Sequence, residues 1–532
     1  MTSSLIRGRP RHATAHIAVR VAHAVLGGVA GGVWLMLPVM TINAEAPVPA
    51  ARAGPVAGAA ETPEQGGTSP ADLVLPLVAG GAAGTVAVYW YVRRTRRTRS
   101  RAASGVVSER PPQPTAGDFE RQAQASLVQA DDCVRTSREE LGFAEVLFGA
   151  EAVAPYAQAL RAAETELAAA FAIRQRYERG LPGDEVARRQ ALVGVVGRCA
   201  EAGRRLDAEA SGFDRLRALD QGVGDALRVA EGRFRELAGR TAGAQAALDE
   251  MRERYAHPAV APVVGYVEQA KDRLVFATSH LNRARQAADF DDLEEAARRL
   301  RAAEGAIAQA ATFLAGVHRL AGDLRRAAGI VPAALTGGEV EIAAARGPAA
   351  AVPLPAGELH ARIARADVAL AAVRTELTSG PYDPLDALRR IARAVEQLDV
   401  GRTGVVPVAA LVVARSATAA AGDFVATHRG AVGAEARTRL AEARRLLAEA
   451  DEEQGRGLGT PCADADELAR EARELAERDV RTRGNPYADA EPASGLAGAV
   501  LGGILLAEET DGGPPASFGG PETRGRRRLA RP

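Results

Sequence analysis

The stretch LRVAEGRFRELAGRTAGAQAALDEMRERY, residues 227–255, decides the fold of this 532-residue chain. After a first step of seven, its apolar and small side chains recur in alternating steps of three and four residues, which places them along one face of an α-helix. The series is Leu227, Phe234, Leu237, Thr241, Ala244, Leu248, Met251 and Tyr255. Pro258 and Pro262 follow closely and predict the end of this helix.

Similar apolar stripes lie before and after this stretch. They comprise Leu127, Val134, Leu141 and Phe148; Val153, Tyr156, Leu160, Leu167 and Phe171; Leu192, Cys199, Leu206 and Phe213; Val267, Leu274 and Leu281; and Leu293, Leu300, Ile307, Leu314, Val317, Ala321 and Leu324. Each run ends at a short Pro, Gly or Asp break, so consecutive helices must pack antiparallel. We therefore predict an all-α fold whose body is an elongated antiparallel helical bundle, a spectrin-like coiled-coil body.

Residues 73–92, LVLPLVAGGAAGTVAVYWYV, carry no charge and predict a transmembrane helix. A helix of that length spans about 30 Å, the thickness of the bilayer core. Trp90 and Tyr91 stand where an aromatic belt is expected. The arginines that follow are typical of a cytoplasmic flank: Arg93, Arg94, Arg96, Arg97, Arg99 and Arg101. The remainder of the chain is therefore expected in the cytoplasm.

A second hydrophobic segment, residues 21–42, follows the basic residues 1–20 and has two interpretations. As a signal peptide it would be removed at an Ala-x-Ala site. As a retained transmembrane helix it is long enough to cross the bilayer. Glycines at four-residue spacing would let this helix pack closely against residues 73–92: Gly27, Gly31, Gly80 and Gly84.

Composition and periodicity divide the chain into nine regions. They are the basic segment 1–20, the hydrophobic segment 21–42, a short extracytoplasmic Ala/Pro/Gly loop 43–72, the transmembrane helix 73–92, a basic juxtamembrane linker 93–117, helical bundle I 118–335, a linker 336–357, helical bundle II 358–480, and a Gly/Pro/Arg-rich tail 481–532.

The sequence contains none of the common catalytic or cofactor-binding motifs. Lys271 is the one lysine and no glycine-rich loop precedes it, which excludes a P-loop. Serine-hydrolase, zinc-protease, kinase and EF-hand signatures are missing too. His12 and His16 lie in the basic segment, and the acidic cluster 289–295 suits a helix start better than a cation site. We therefore predict no enzymatic activity, no cofactor and no metal.

Charge favours membrane and protein partners over nucleic acid. Basic and acidic residues number 67 each, which argues against a general nucleic-acid-binding protein. A basic cluster near the end of the sequence is predicted to contact lipid headgroups or an acidic partner: Arg524, Arg526, Arg527 and Arg528. Alanine at many packing positions favours close helix contacts, within the chain or between copies.

Six ordered blocks of the sequence are distinctive: SLVQADDCVRTSREELGFAEVLFG (126–149), residues 198–219, 261–277, 301–324 and 428–450, and FGGPETRGRRR (518–528). Together they resemble the cytoplasmic region of TPM-domain membrane proteins from high-GC bacteria. The resemblance covers residues 73–528 and implies an export signal, an outside TPM domain, one membrane helix and this long helical region. A small domain needs on the order of a hundred residues, so the loop 43–72 leaves no room for the TPM domain. No site residue carries over from that family.

Together these features predict a non-enzymatic, membrane-anchored helical scaffold. It would face the cytoplasm from the bacterial inner membrane. Its expected partners are the lipid bilayer and other proteins, including further copies of the chain. The alternative is a membrane-bound signalling or envelope-stress component related to TPM-domain proteins.

Overall fold

A computed structural model describes residues 115–347, 355–398, 404–452, 459–483 and 518–524. All of them belong to the compact unit Glu109–Pro532. They are almost entirely helical and contain no strand, which confirms the all-α prediction for this part of the chain. The predicted membrane segments 21–42 and 73–92 lie outside the described residues.

The described ranges contain eleven α-helices and one 3₁₀ turn, Ala261–Val263. The helices are α1 Ala116–Glu178, α2 Glu185–Arg217, α3 Gly224–Arg254, α4 His257–Val260, α5 Tyr266–Asp289, α6 Leu293–Arg346, α7 Ala356–Ser379, α8 Pro384–Glu396, α9 Val405–Thr427, α10 Ala434–Glu452 and α11 Gly459–Arg483. The predicted break at Pro258 and Pro262 is present, as the short elements between α3 and α5.

The first helix is a hairpin of two arms, because Gly149 adopts a φ of +83° inside it. Glycine reaches this backbone region without a steric penalty. An ion pair of 2.7 Å joins Arg138 to Glu164 across the arms. Nearer the open end, Arg174 lies 3.2 Å from Glu120. The arms therefore run antiparallel, and the apolar stripes predicted on separate helices face each other.

A three-helix module forms where α2 packs along this hairpin. Its core consists largely of the stripe residues predicted from the sequence: Leu127, Val134, Leu141, Leu160, Leu167, Leu192, Cys199, Leu206 and Phe213. The spacing of the apolar residues thus identified the packing face of each helix correctly.

A second core is built around α6, which packs against α3, α5, α7, α8 and α9. The stretch 227–255 that predicts the fold lies in α3 and its C-cap. Its buried members are Leu227, Leu237, Ala244, Leu248, Met251 and Tyr255, while Phe234 and Thr241 are half-buried.

The structure differs from the predicted linker 336–357, because α6 continues as a helix to Arg346. A Cβ atom on Gly338 would lie 3.1 Å from Leu370 and 3.4 Å from Val395, so this glycine lets α6 approach α7 and α8 closely. The Gly and Ala content that predicts a linker here serves close helix packing. The predicted bundles 118–335 and 358–480 are therefore in direct contact: α6 packs against α7, α8 and α9, and α10 packs on α1.

In the described part of the chain, α9 is the one helix whose length and apolar composition would allow it to cross a membrane. Its mean hydropathy over 18 residues is 1.6, and 61% of that window is buried within the protein. Since α9 packs against α6, α8, α10 and α11, its composition is also that of a core helix.

Candidate docking site for residues 518–524

The short sequence FGGPETR, residues 518–524, lies in a groove between α2 and the two arms of α1. We call these seven residues the docked segment. The chain on either side of them, 484–517 and 525–532, lies outside the described residues. We call the groove that binds the docked segment the docking groove. It is formed by Ser137, Glu140, Tyr156, Gly203, Asp207 and Phe213.

Phe518 occupies an aromatic pocket at one end of the docking groove. Its side chain is completely buried. The ring stacks on Phe213, with centroids 4.5 Å apart and planes inclined by 24°. Tyr156 meets Phe518 edge-on at 5.9 Å and Phe213 edge-on at 5.2 Å. Burial of such a side chain contributes roughly 1.5–3 kcal/mol, and ring contacts of this geometry add about 0.5–1.5 kcal/mol.

Asp207 on α2 binds the backbone of the docked segment. Its Oδ1 accepts hydrogen bonds from the amides of Gly520 (2.8 Å) and Thr523 (3.0 Å) and from the Thr523 hydroxyl (2.6 Å). Its Oδ2 accepts from the Glu522 amide at 3.3 Å. Residues 521–524 form one helical turn. A side chain of another helix thus caps this turn, as an N-cap residue would do within one helix.

Glycines on both sides permit the close approach of the docked segment to α2. A Cβ atom on Gly203 would lie 2.6 Å from Cδ of Pro521. A Cβ atom on Gly520 would lie 2.3 Å from the carbonyl oxygen of Gly203. Gly519 adopts a φ of +138°, which favours glycine, and its amide donates to Ser137 Oγ at 3.2 Å. The close fit therefore requires glycine at positions 203, 519 and 520.

A buried ion network connects the docked segment to α6. The amide of Phe518 donates to Oε2 of Glu140. The other carboxylate oxygen of Glu140 accepts from Arg217 and Arg301, each at 3.1 Å. Arg217 also donates two hydrogen bonds to Glu304, at 2.8 and 3.0 Å. One carboxylate thus contacts the segment, α2 and α6 together.

The charges of this network stabilise one another. Burial would lower the pKa of Arg217, but the carboxylates of Glu304 and Glu140 outweigh that effect and hold the pKa above its ordinary value. Removal of one partner would leave a buried charge without compensation, which is strongly destabilising.

A second polar junction joins α10 to α1. Arg437 is 1% exposed, and its Nη1 donates to Asp131 at 2.6 Å and to Asp132 at 2.7 Å. Although burial raises the pKa of Asp131, Arg135 and Arg437 hold it below its usual range. Arg429, which precedes α10, donates to Glu139 on α1 at 2.8 Å. This junction fixes the groove-forming helix against the rest of the bundle.

A cavity of about 290 Å³ adjoins the docked segment. Pro521 and Glu522 line it from the segment, and Cys199, Gly203 and Arg204 line it from α2. Burial raises the pKa of the Cys199 thiol to about 12, so it is protonated at neutral pH. This thiol is therefore a poor nucleophile.

The other two thiols are similar. Burial raises the pKa of Cys133 and of Cys462 to about 11. Within the described ranges, no group of three or more His, Cys, Asp or Glu side chains is arranged to hold a metal ion.

One of the site residues predicted from sequence belongs to this site. Arg524 ends the docked segment, and its Nη2 donates to the backbone carbonyl of Asp132 at 3.2 Å. The remaining predicted residues lie outside the described residues: Arg526, Arg527, Arg528, Trp90, Tyr91, Arg93, Arg94, Arg96, Arg97, Gly27, Gly31, Gly80 and Gly84.

Sequence reasoning did not identify Asp207, Glu140, Gly203 or Phe518 as site residues. Asp207 and Glu140 resemble the many other charged residues of helical surfaces. The one sequence signal is an aromatic residue directly before Gly-Gly-Pro, in a region without helical periodicity. Phe518 alone in the sequence stands in that context.

The fold and the groove define an all-α bundle protein that holds a short segment of its own chain. The chain is similar to two UPF0603 proteins of Mycobacterium tuberculosis, from strains CDC 1551 and H37Rv. Each is 30% identical over 420 residues, which cover 75% of this chain and 63% of the relative. The chain thus spans less than two thirds of the length of these relatives. Their name specifies no activity, ligand or partner.

No family model matches the chain. No solved structure matches it either.

Proposed function

We propose that this protein is a non-enzymatic helical scaffold that acts through protein contacts made by its bundle. The observation that carries the proposal is the docked segment, which the groove holds as a peptide ligand. The carboxylate of Asp207 alone accepts four hydrogen bonds from backbone amides and the threonine hydroxyl of the segment. Backbone capture combined with one aromatic anchor is a common mode of peptide recognition.

The proposal places the scaffold on the inner face of the bacterial inner membrane. The uncharged stretch 73–92 and the arginines after it support this topology. The lipid bilayer and proteins, including further copies of the chain, are the proposed partners. The equal numbers of basic and acidic residues argue against nucleic acid as a partner.

As such a scaffold, the bundle would catalyse no reaction and bind no cofactor. The raised pKa values of the three buried thiols support this, because nucleophilic cysteines need a thiolate. The polar side chains of the docking groove are occupied in binding the segment backbone, and the sequence contains none of the common catalytic motifs.

The second candidate function is a membrane-bound signalling or envelope-stress component related to TPM-domain proteins. The observation that favours it is the carboxylate of Glu140, which joins the docked segment to α6 through Arg217. Release of the segment would remove the Phe518 amide from this carboxylate, which also accepts from Arg217 and Arg301, so occupancy of the groove would affect the packing of α2 on α6.

Site-specific photo-crosslinking in cells tests the proposal on the full-length chain. Crosslinkers for lysine are unsuitable, because Lys271 is the one lysine. Val193 is 52% exposed and lies on the same face of α2 as Val196 and Gly203, which line the groove and its cavity. Benzoylphenylalanine at position 193 should capture discrete proteins.

Phe290 provides the matched control, since it is 85% exposed and lies on the turn between α5 and α6. The same photoreactive residue at position 290 should capture fewer proteins, and different ones. Identical products from both positions, or none from position 193, would contradict a scaffold that works through the docking groove.

A further inference from the structure

We propose that the docking groove also takes residues 518–524 from a second copy of this chain, so that copies exchange their segments. This inference rests on the proposed function, because it names the partner of the same groove. The exchanged contacts are those already described, with the groove and its occupant belonging to different molecules.

The chemistry of the groove restricts the occupant to a narrow class of peptide. It requires a buried aromatic ring at position 518, two residues without Cβ atoms, and a threonine that donates to Asp207. The Glu522 side chain is exposed, so this position is free to vary. The class is aromatic-Gly-Gly-Pro-x-Thr.

The sequence contains one peptide of this class. Phe-Gly-Gly-Pro occurs at 518–521, whereas the other Gly-Gly-Pro, residues 512–514, follows Asp511 and lacks the aromatic anchor. Every copy of the chain therefore carries one groove and one matching segment. Such complementarity is what closed, symmetric exchange between two identical molecules requires.

The connection to the segment is long enough for exchange. Residues 484–517 separate the end of α11 at Arg483 from Phe518. A chain of that length has a maximum reach of about 115 Å. A neighbouring molecule in the same membrane lies within that reach.

The groove makes identical contacts with a segment from its own chain and with one from a neighbouring copy. The local concentrations of these two segments therefore determine which one is bound. A segment on its own chain has an effective concentration of roughly millimolar. Confinement of anchored copies to one membrane raises the competing concentration of segments from neighbours. Exchange should thus increase with the surface density of the protein.

A complementation experiment tests the exchange on full-length chains. The first variant carries Gly203→Val, which obstructs its groove at Pro521, and benzoylphenylalanine in place of the exposed Glu522. The second carries Phe518→Ala, so its groove is intact and its own segment lacks the anchor. Each has a different affinity tag, and both are reconstituted in vesicles of phosphatidylethanolamine and phosphatidylglycerol.

Exchange predicts a crosslinked heterodimer with its crosslink on α1 or α2 of the second variant. Its yield should exceed, by roughly tenfold, that of a control pair in which both variants carry Gly203→Val, since steric conflict of this kind costs about 1–3 kcal/mol. Equal yields in the two pairs would overturn the exchange. Circular dichroism of each variant confirms that the helices are formed.

A synthetic peptide of residues 515–527 separates failure of the exchange from failure of the proposed function. The peptide should bind the Phe518→Ala chain and not the double variant with Gly203→Val. Peptide binding without a heterodimer would overturn exchange and leave groove recognition intact. Absence of peptide binding would contradict recognition by the groove, and exchange with it.

Discussion

Oδ1 of Asp207 accepts hydrogen bonds from both the amide and the hydroxyl of Thr523, at 3.0 and 2.6 Å. These two residues are separated by 316 positions in the sequence. Asp207 lies on a long helix of the bundle, and Thr523 lies in the one described segment that follows α11. The carboxylate of Asp207 thus binds the bundle to the backbone of residues 518–524 of the same chain.

Replacement of Phe518 by alanine should release the docked segment. A buried Phe→Ala change costs about 3–5 kcal/mol. Here that cost reduces the free energy of docking of the segment. Tryptic cleavage after Arg524 should accelerate by roughly a hundredfold or more, because cleavage follows the population of the undocked state. Phe290→Ala, which removes a ring that is 85% exposed, should leave the cleavage rate unchanged.

A methyl group at position 203 should weaken docking, whereas one at position 197 should not. Gly203→Ala places a Cβ atom 2.6 Å from Pro521, while a Cβ atom on Gly197 of the same helix meets nothing within 4 Å. We expect Gly203→Ala to weaken docking by about 1–3 kcal/mol. Gly197→Ala should stabilise the protein by about 0.5–1 kcal/mol through helix propensity.

The rate of proteolysis after Arg524 measures the weaker docking in Gly203→Ala, and thermal unfolding measures the higher stability of Gly197→Ala. Equal cleavage rates for the two glycine variants would show that the contact between Gly203 and Pro521 does not form in solution.

Loss of Arg437 should destabilise the junction between α10 and α1. Arg437→Met removes one partner of a buried pair and should cost about 3–5 kcal/mol in the free energy of unfolding. The comparison is Arg252→Met, which breaks an exposed pair with Asp249 (3.1 Å) and should cost less than about 1 kcal/mol. Chemical denaturation gives both values, and a similar small cost for each would contradict a structural role for Arg437.

The same junction predicts a dependence on acid. The pKa of Asp131 is held below its usual range in the folded protein, so its contribution to stability is present above about pH 4 and is lost as the pH falls further. In Arg437→Met this loss should be smaller, because the folded-state pKa would rise. Unfolding curves between pH 2 and pH 5 measure the difference.

The buried His280 and the half-buried His428 should make the protein less stable at mildly acidic pH. Burial, with Arg299 and Arg283 nearby, lowers the pKa of His280 to about 4, and burial lowers that of His428 to about 4. An unfolded histidine titrates near 6.5. The unfolded state therefore binds protons first, and stability should fall as the pH decreases from about 6.5 to 4.

Replacement of His280 by leucine should flatten this part of the stability profile. His257 is exposed, so His257→Leu serves as the control and should retain the original slope. An unchanged slope in His280→Leu would show that the pKa of this imidazole is the same in the folded and unfolded states.

Apolar spacing was sufficient to predict the helices but insufficient to predict how far they extend. Leu127 and Val134 are buried as their seven-residue spacing predicts, because a helix places such residues on one face. Gly337 and Gly338 predict a linker from the same local information. Both are helical in the structure, and the neighbours that favour small residues come from other helices: Val406 beside Gly337 and Leu370 beside Gly338.

The docking groove was harder to predict, because its chemistry depends on long-range contacts. Asp207 has an ordinary position on a helix, and nothing nearby in sequence indicates that it binds Thr523. Phe518 was the stronger signal, as an aromatic residue before Gly-Gly-Pro outside any periodic stretch. The arginines beyond it are the more prominent feature of the sequence, and among them the structure describes Arg524.

Hydrogen exchange of residues 518–524 in the full-length chain tests the docked segment most directly. Amides held by Asp207 should exchange at least about tenfold more slowly than in Asp207→Ala, because docking closes them to solvent. Asp184→Ala removes a comparable carboxylate that caps Ala187 at the start of α2 (2.9 Å) and should leave the segment protected. Exchange of the wild-type segment at the rate of a free peptide would contradict the account.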